Sequence, residues 1–590
     1  MKLSLLLLAS FATFIYAQSP GDDKRLLFST YHGGDRNDDA VAVAVDSSGF
    51  VYVAGETESR DLPSTPVGGK PLTSAVFKGY LTKYSPDGKQ VIWRALIGGS
   101  SNTVPHAVTL DKDGNIFVAG TTGARDLPLK NPVQDKQPGL NIAFVMKFDP
   151  NGELLFSTFY GGERNEEGKC LATDSQGNLY LAGRATSTTF PVVNAIQPKF
   201  GGSEDGFIVK FTPDLKVAYA TYFGGASADQ IHAIAVGPDD SLYVTGETLS
   251  AGLATEDAYI KQVQSYSSFV ARINPEGNSV VYFSYVGWRG GYTTAKAIAV
   301  DNSGRAWIGG HTTSKQLTTT ENAFQPAHAG GARDGFLLRL AADGKSADYL
   351  SYLGGSSTGP NDPDEAINVL KIDARGHLHI AGFTNSADFP GNTRAMQGNA
   401  TGAFDAFVLR MDPDNKQIFY STFWGGQKND SANALALGPG EAVTFVGNST
   451  SADLPVSANA VQGKPGSTDE GFVAKFCDPW LGSWSASGWA GETVYVLGAE
   501  RLGAVELDVY SGCPQKFAVK GEAPELEGAA WLTVTNDGGT VPMKLKLEFN
   551  TDGLEAGEYK TTIRVTVPDA FYPTLEIPVV LKVVAPEPAS

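Results

Sequence analysis

The residues of this 590-residue chain that could do chemistry are few, with seven histidines and three cysteines among them. His377 and His379 form an H-x-H pair on one face of an expected strand, a spacing that suits two metal ligands. His379, however, takes a place that a repeated pattern gives elsewhere to Tyr52, Phe117, Tyr180, Tyr243 and Trp307, so its expected role is packing. Cys170 aligns in the same way with Ala42, Ala107, Ala233, Ala297 and Ala434, which reads as a small buried residue and not a nucleophile. No GxSxG elbow, HExxH helix, P-loop or dinucleotide fingerprint occurs, and no CxxC pair. No catalytic residue and no metal ligand is therefore assigned. What remains is a set of unlike polar residues at one repeated position: His106, Lys169, His232, Lys296, Asn368 and Asn433, with Val41 in the first unit. Acids cluster in the loops nearby, at Asp35, Asp38 and Asp39, at Glu163, Glu166 and Glu167, and at Asp362, Asp364 and Glu365. A polar funnel of this kind suits a ligand or partner. Its four potentially cationic groups favour an anionic ligand such as an acidic sugar, and its acids would accept a cation such as calcium; no other cofactor is expected. Because these residues are expected to start strands at a rim, replacing them should leave stability nearly unchanged.

The elements that must position them come from an internal repeat. The chain reads Phe28-Ser-Thr-Tyr-His-Gly-Gly34, Phe156-Ser-Thr-Phe-Tyr-Gly-Gly162 and Tyr219-Ala-Thr-Tyr-Phe-Gly-Gly225, with weaker copies ending at Gly99, Gly355 and Gly426 and a divergent one at Tyr285 to Trp288. A second marker follows each, from Tyr52-Val-Ala-Gly55 to Thr444–Gly447, and a third closes an aromatic strand with Lys83, Lys147, Lys210, Arg272, Arg339, Arg410 or Lys475. In the fourth unit the strands are predicted at His232–Val236, Leu242–Gly246, Phe269–Ile273 and Val280–Tyr285. Four antiparallel strands per unit, seven times over, is the pattern of propeller blades around a channel. Leu26–Tyr31 is a fourth strand without its first three, and the last unit stops after its third strand at Phe476. The two fragments complete each other, so this stretch is expected beside Phe472–Phe476, closing the ring without a bare edge. The basic residue and the turn acids Asp46, Asp111, Asp174, Asp301 and Asp373 recur at one end, where ion pairs or turn hydrogen bonds are expected.

Three stretches carry a resemblance to a known family. Tyr31-His-Gly-Gly-Asp-Arg-Asn-Asp-Asp-Ala40, Val45-Asp-Ser-Ser-Gly-Phe-Val-Tyr-Val-Ala-Gly55, and the acidic-apolar-Pro element seen at Arg60–Pro63, Arg125–Pro128, Ser386–Pro390 and Ser451–Pro455 resemble the bacterial SBBP propeller repeat. The likeness runs from Leu26 to Phe476; it implies a seven-bladed propeller in a secreted or surface protein and no particular reaction. Past Asp478-Pro479 the markers stop. Strands are predicted at Thr493–Leu497, Ala504–Tyr510, Trp531–Thr535, Met543–Phe549, Tyr559–Val567 and Leu575–Val584, spaced as in an all-β sandwich. Leu554–Val565 and Ile577–Val583 resemble bacterial Ig-like domains of the BACON type, which are associated with carbohydrate or mucin surfaces, although a spacer role fits equally.

The expected layout is thus all-β: a signal peptide at 1–17, a seven-bladed β-propeller over 26–477 and a small Ig-like sandwich over 480–585. Lys2 followed by the uncharged apolar run Leu3–Ile15 reads as a secretory leader, too short to span a bilayer comfortably. Export permits a disulfide, expected between Cys477 and Cys513. A net charge of −18 argues against nucleic acid as a partner. The expectation is a monomer without a transmembrane span, secreted, periplasmic or at the cell surface of a bacterium, binding an extracellular protein or glycan without catalysis. The alternative is an extracellular lyase or glycoside hydrolase using loop carboxylates at the channel mouth.

Overall fold

The computed structural model describes Asp23, residues 25–69, 76–262, 267–356, 364–390 and 394–477, and most of the strand segments between 482 and 585. The expected leader and Asp362 lie outside the described residues.

Each sequence unit folds into one antiparallel sheet, seven in all, four-stranded except that Thr65–Pro66 adds a short parallel edge to unit 1. In unit 4 the strands are Asp229–Val236, Leu242–Thr248, Ser267–Ile273 and Val280–Val286. The first strands of the other units are Asp38–Val45, Thr103–Leu110, Glu166–Thr173, Thr293–Val300, Glu365–Ile372 and Asp430–Leu437. Each lies against the first strands of the units before and after it, and Asp430–Leu437 of unit 7 lies against Asp38–Val45 of unit 1. Leu26–His32 supplies the outer strand of unit 7, with Tyr31 opposite Phe472 and Thr30 opposite Val473. The arrangement is all-β and consistent with propeller blades.

Second and third strands are buried on both faces, which is why they read as apolar runs and not as alternation. Their aromatic side chains fill the seams between sheets. Phe117, Phe156 and Tyr160 of unit 2 pack with Leu179, Phe207 and Phe211 of unit 3 in one cluster. Full burial of each such side chain contributes roughly 1.5–3 kcal/mol.

A β-bulge interrupts every first strand at the same place. The ladder skips one residue per unit, and the skipped residues are Val41, His106, Lys169, His232, Lys296, Asn368 and Asn433. The bulge explains the glycine of the second sequence marker: a Cβ on Gly55 would collide with the Asp39 carbonyl oxygen, and one on Gly246 with that of Gln230.

Beyond residue 477 two four-stranded sheets share one apolar core. One holds Gly482–Trp484, Val505–Tyr510, Met543–Phe549 and Leu532–Asn536; the other holds Glu492–Val496, Thr574–Val584, Gly557–Thr566 and Glu525–Leu526. Met543–Phe549 alternates strictly between buried and exposed, the signature of a strand with one face on a core. That core includes Cys477 and Ala442 of unit 7 and takes Leu27 at its edge. Cys477 and Cys513 are joined by a disulfide, 36 residues apart in sequence.

Candidate functional site

The two ends of the sheet ring are built from different chemistry. At the end holding the turns between first and second strands, Asp oxygens accept backbone N–H groups two and four residues on, as Asp111 does from Asp113 and Asn115. In units 1 to 5 the recurrent basic residue lies over the aromatic ring of its own second strand: Lys147 Nζ is 4.8 Å from the Phe117 centroid and Lys210 Nζ 5.0 Å from that of Tyr180. It also pairs with the turn acid, at 2.9 Å for Lys147–Asp111 and 3.3 Å for Lys210–Asp174. Several reach the next sheet as well. Lys83 donates to the Pro150 carbonyl, Lys210 to that of Pro275, Arg272 to that of Ala342 and Lys475 to that of Pro86. In unit 6 both histidines of the H-x-H pair join this device. His379 is fully buried, 3.2 Å from Asp373 and 3.3 Å from the Tyr420 hydroxyl, while His377 lies 3.3 Å from Asp373. Arg410 closes on Asp373 and Glu441, and with these neighbours the Asp373 carboxyl is held well below the usual carboxylate range despite its burial.

At the Gly-Gly end five of the seven seams carry buried carboxyl groups; the other two place Lys78 with Thr103 and Ser267 with Thr293 there. The first residue of a unit's third strand faces the first residue of the next unit's first strand, giving the pairs Glu470 with Asp38, Asp205 with Asp229, Asp334 with Glu365 and Asp405 with Asp430, all at most 2% exposed. Gly225 N–H and Ser250 Oγ both donate to Asp229 Oδ2 at 2.7 Å, and Gly426 N–H and Ser451 Oγ serve Asp430 in the same way. Asp205 Oδ1 and Glu365 Oε2 are buried without a hydrogen-bond partner. Burial is the main cause that raises Asp205, Asp334 and Asp405 to about 6, Glu365 to about 8 and the unpaired Glu166 of unit 3 to about 7. The pairs explain the Gly-Gly marker. A Cβ on Gly224 would lie 2.7 Å from Asp229 Oδ2 and 2.9 Å from Asp205 Oδ1, so only glycine leaves room for both.

Between these seams and the channel, one cross-strand pair per unit faces the mouth, and no two are alike. They are Asp39–Glu56, Val104–Thr121, Glu167–Arg184, Gln230–Glu247, Thr294–His311, Ala366–Phe383 and Ser431–Asn448. Arg184 bonds Glu167 and Glu204, and Glu247 takes Gln230 Nε2 and Thr294 Oγ1, both at 2.9 Å. Arg333 pairs with Asp364, lies 3.3 Å from His311 Nε2 and covers the Phe383 ring. Asp39 and Glu56 are hydrogen-bonded to each other; burial first, then the charge of Asp469 for Asp39 and of Asp39 for Glu56, raises them to about 6 and about 7. Two hollows open here, one of about 240 Å³ beside Glu204, Glu247 and Tyr292, and one of about 370 Å³ beside Arg333, Phe383 and Asn448. A larger hollow of about 660 Å³ lies away from the channel, between units 2 and 3, and its charged lining is the Asp214–Lys216 ion pair.

The six residues singled out from the sequence do surround the channel, but not at a rim. First strands begin three residues earlier than predicted, so His106, Lys169, His232, Lys296, Asn368 and Asn433 sit at the fourth of eight positions, on the bulge. Several stitch neighbouring first strands together: His232 Nδ1 donates to the Ala295 carbonyl, Asn368 to that of Ala432, Asn433 to that of Ala40, and Lys169 to Gln230 Oε1. The expectation that they can be removed without structural cost is therefore corrected. So is the count of four cations. Burial pushes His106 and His232 down to about 4, leaving both neutral at pH 7 and only Lys169 and Lys296 charged. Sequence reasoning passed over the cross-strand pairs and also Lys371, although a comparison of aligned units shows their variety.

Comparison with known proteins agrees with the repeat. Two stretches match the SBBP beta-propeller repeat. They are residues 27–63 and 92–128. A regulatory protein of Caulobacter vibrioides, FlaEY, is 23% identical over 479 residues, which is 72% of this chain and 45% of that protein. The chain thus spans less than half of that relative's length. Among solved structures, the quinohemoprotein alcohol dehydrogenase of Comamonas testosteroni overlaps 78% of this chain and 77% of its own at 9% identity and a TM-score of 0.34. A glucose dehydrogenase overlaps 60% of this chain and 96% of its own at 14% identity and a TM-score of 0.28. Overlaps this loose carry no argument about chemistry here.

Proposed function

We propose that residues 26–477 form a seven-bladed β-propeller of the SBBP type, that 480–585 form an Ig-like sandwich of the BACON type, and that the mature, exported chain is a non-catalytic binding protein. Its partner is a polar protein or glycan seated on the channel mouth. One observation carries this reading: seven structurally equivalent cross-strand pairs present seven different chemistries to the mouth, while the opposite end repeats one device in five of the seven units. A scaffold gains from repetition, whereas recognition of one partner needs unlike groups at fixed places. The name of the Caulobacter relative, a regulatory protein, supports binding over turnover. The test is a screen of the mature chain against glycans and secreted proteins, repeated with Arg184→Met and Glu247→Gln. Loss of the bound partner in both variants, with unchanged melting, supports the reading; full retention refutes it.

A second reading has its own observation. The hydrogen-bonded Asp39–Glu56 pair holds one carboxyl near neutrality at the mouth, as an acid–base enzyme requires. A hydrolase and lyase panel with Glu56→Gln as control decides it: turnover by the parent chain that the variant loses makes the protein an enzyme.

A further inference from the structure

Beyond the bulge, the seventh position of the first strand is Ala44, Thr109, Ala172, Ala235, Ala299 and Ala436 in six units and Lys371 in unit 6. One long side chain thus stands where the other first strands carry small ones. Lys371 is reached by water in the channel yet enclosed by the ring of strands, and this enclosure lowers its pKa. Together with Lys169 and Lys296 of the bulge level it lines a cavity of about 200 Å³, whose other polar side chains, His106, Asn368 and Asn433, carry no charge at pH 7.

The charges around this cavity do not balance locally. Among the described residues, the side chains of Lys296 and Lys371 make no hydrogen bond or ion pair. Lys169 is 3.7 Å from Glu167, but that carboxylate is already engaged by Arg184, and burial first, then Arg184 and Lys296, push the Lys169 pKa down. The acids nearest the mouth are committed elsewhere, Glu204 to Arg184 and Glu247 to Gln230 and Thr294. A chain with net charge −18 thus places three lysines along one cavity. Like charges in a low-dielectric channel repel each other, and an anion placed among them relieves that repulsion while replacing lost hydration.

We propose that the throat lined by Lys169, Lys296 and Lys371 binds a compact multivalent oxyanion of the phosphate class, either as the free ion or as the charged group of a ligand seated on the mouth. The second case rests on the mouth being the binding face, and the first does not. Ammonium groups on separate strands can donate to different oxygens of such an anion, whereas the amide donors of Asn368 and Asn433 are already given to the Ala432 and Ala40 carbonyls.

The full chain is titrated with inorganic phosphate, and separately with a sugar phosphate, by calorimetry and ³¹P line broadening at constant ionic strength. Saturable binding is expected, weakened at least ~10-fold by Lys371→Ala and by Lys296→Val. Ala and Val are the residues that other units carry at these positions, so both variants keep the local packing of the ring. Lys371→Met preserves the length of the side chain without its charge and is expected to bind as weakly as Lys371→Ala. Lys89→Ala removes an exposed lysine far from the channel, paired with Asp87, and is expected to bind as the parent does. Binding of both anions points to the free ion as ligand, and binding of the sugar phosphate alone to a charged group on a larger molecule. Absence of saturable binding of either anion, or binding undiminished by the Lys371 variants, overturns the proposal and leaves Lys371 a plug for the channel. Retention of phosphate binding by Arg184→Met shows the throat working whether or not the mouth binds a partner.

Discussion

The end of the ring that holds the Lys and Arg residues and the end that holds the Gly-Gly loops use the same sheets to opposite effect. At the first, charge is neutralised on the spot: acid, base and aromatic ring close on one another, and the basic residue ties its sheet to the next. At the second, like charges are pressed together, with carboxyl pairs in the seams, the Asp39–Glu56 pair at the mouth and lysines in the throat. Buried charge is costly unless paired, so the first end contributes stability and the second spends some of it. Strain of this kind concentrates where ligands bind, which makes the contrast testable.

The largest effect is expected from removing what closes the ring for both ends. Deleting residues 19–34 takes away the Leu26–His32 strand and leaves the third strand of unit 7 as a bare edge, with Phe472 and Val473 uncovered. Melting should drop by more than ~10 °C, or the chain should aggregate, whereas deletion of 19–24 should cost far less. Equal melting of the two truncations breaks the closed-ring description. Next comes the disulfide between unit 7 and the C-terminal sheets. Cys477→Ser with Cys513→Ser should lower stability by about 2–4 kcal/mol, read by denaturant melts of oxidised protein.

A single substitution at the neutralising end should cost less. Lys210→Met leaves Asp174 buried with one partner fewer and unties the Pro275 carbonyl, a loss of about 1–3 kcal/mol, with no change in ligand binding. The carboxyl pairs predict a pH dependence of the opposite sign to that of a salt bridge. In the folded chain Asp205, Asp334, Asp405, Glu166 and Glu365 hold protons up to about pH 6 to 8, whereas the unfolded chain releases them near 4. Between these limits the folded state binds more protons, so stability should fall as pH rises from about 5 to 8. Below about 4 the trend should reverse, as Asp111, Asp174 and Asp373, whose pKa values are lowered in the fold, lose their charge. A melting temperature that climbs steadily from pH 5 to 8 refutes the carboxyl pairs. The smallest effect on stability is expected at the mouth, where Arg184→Met should shift it by less than ~0.5 kcal/mol.

The sequence by itself determined the unit, the strand count and the closure. These follow from local chemistry repeated seven times: turn acids, apolar strands, and glycines that mark close approach. It also carried the placement of Cys477 and Cys513, since one residue follows the last strand of unit 7 and the other comes shortly after the strand Val505–Tyr510. Only the tertiary structure decided which unlike residues matter. First strands that begin three residues early place His106, Lys169, His232, Lys296, Asn368 and Asn433 on the bulge inside the ring and not at a rim, and burial removed the charge from the two histidines. The carboxyl pairs join residues of different units, Asp205 of the third with Asp229 of the fourth, and the throat brings together lysines of units 3, 5 and 6. Strand periodicity says which face of a sheet a side chain takes. What it meets across a seam or a channel depends on how the sheets close, and pKa and ligand preference are set by that neighbour and by the water it excludes.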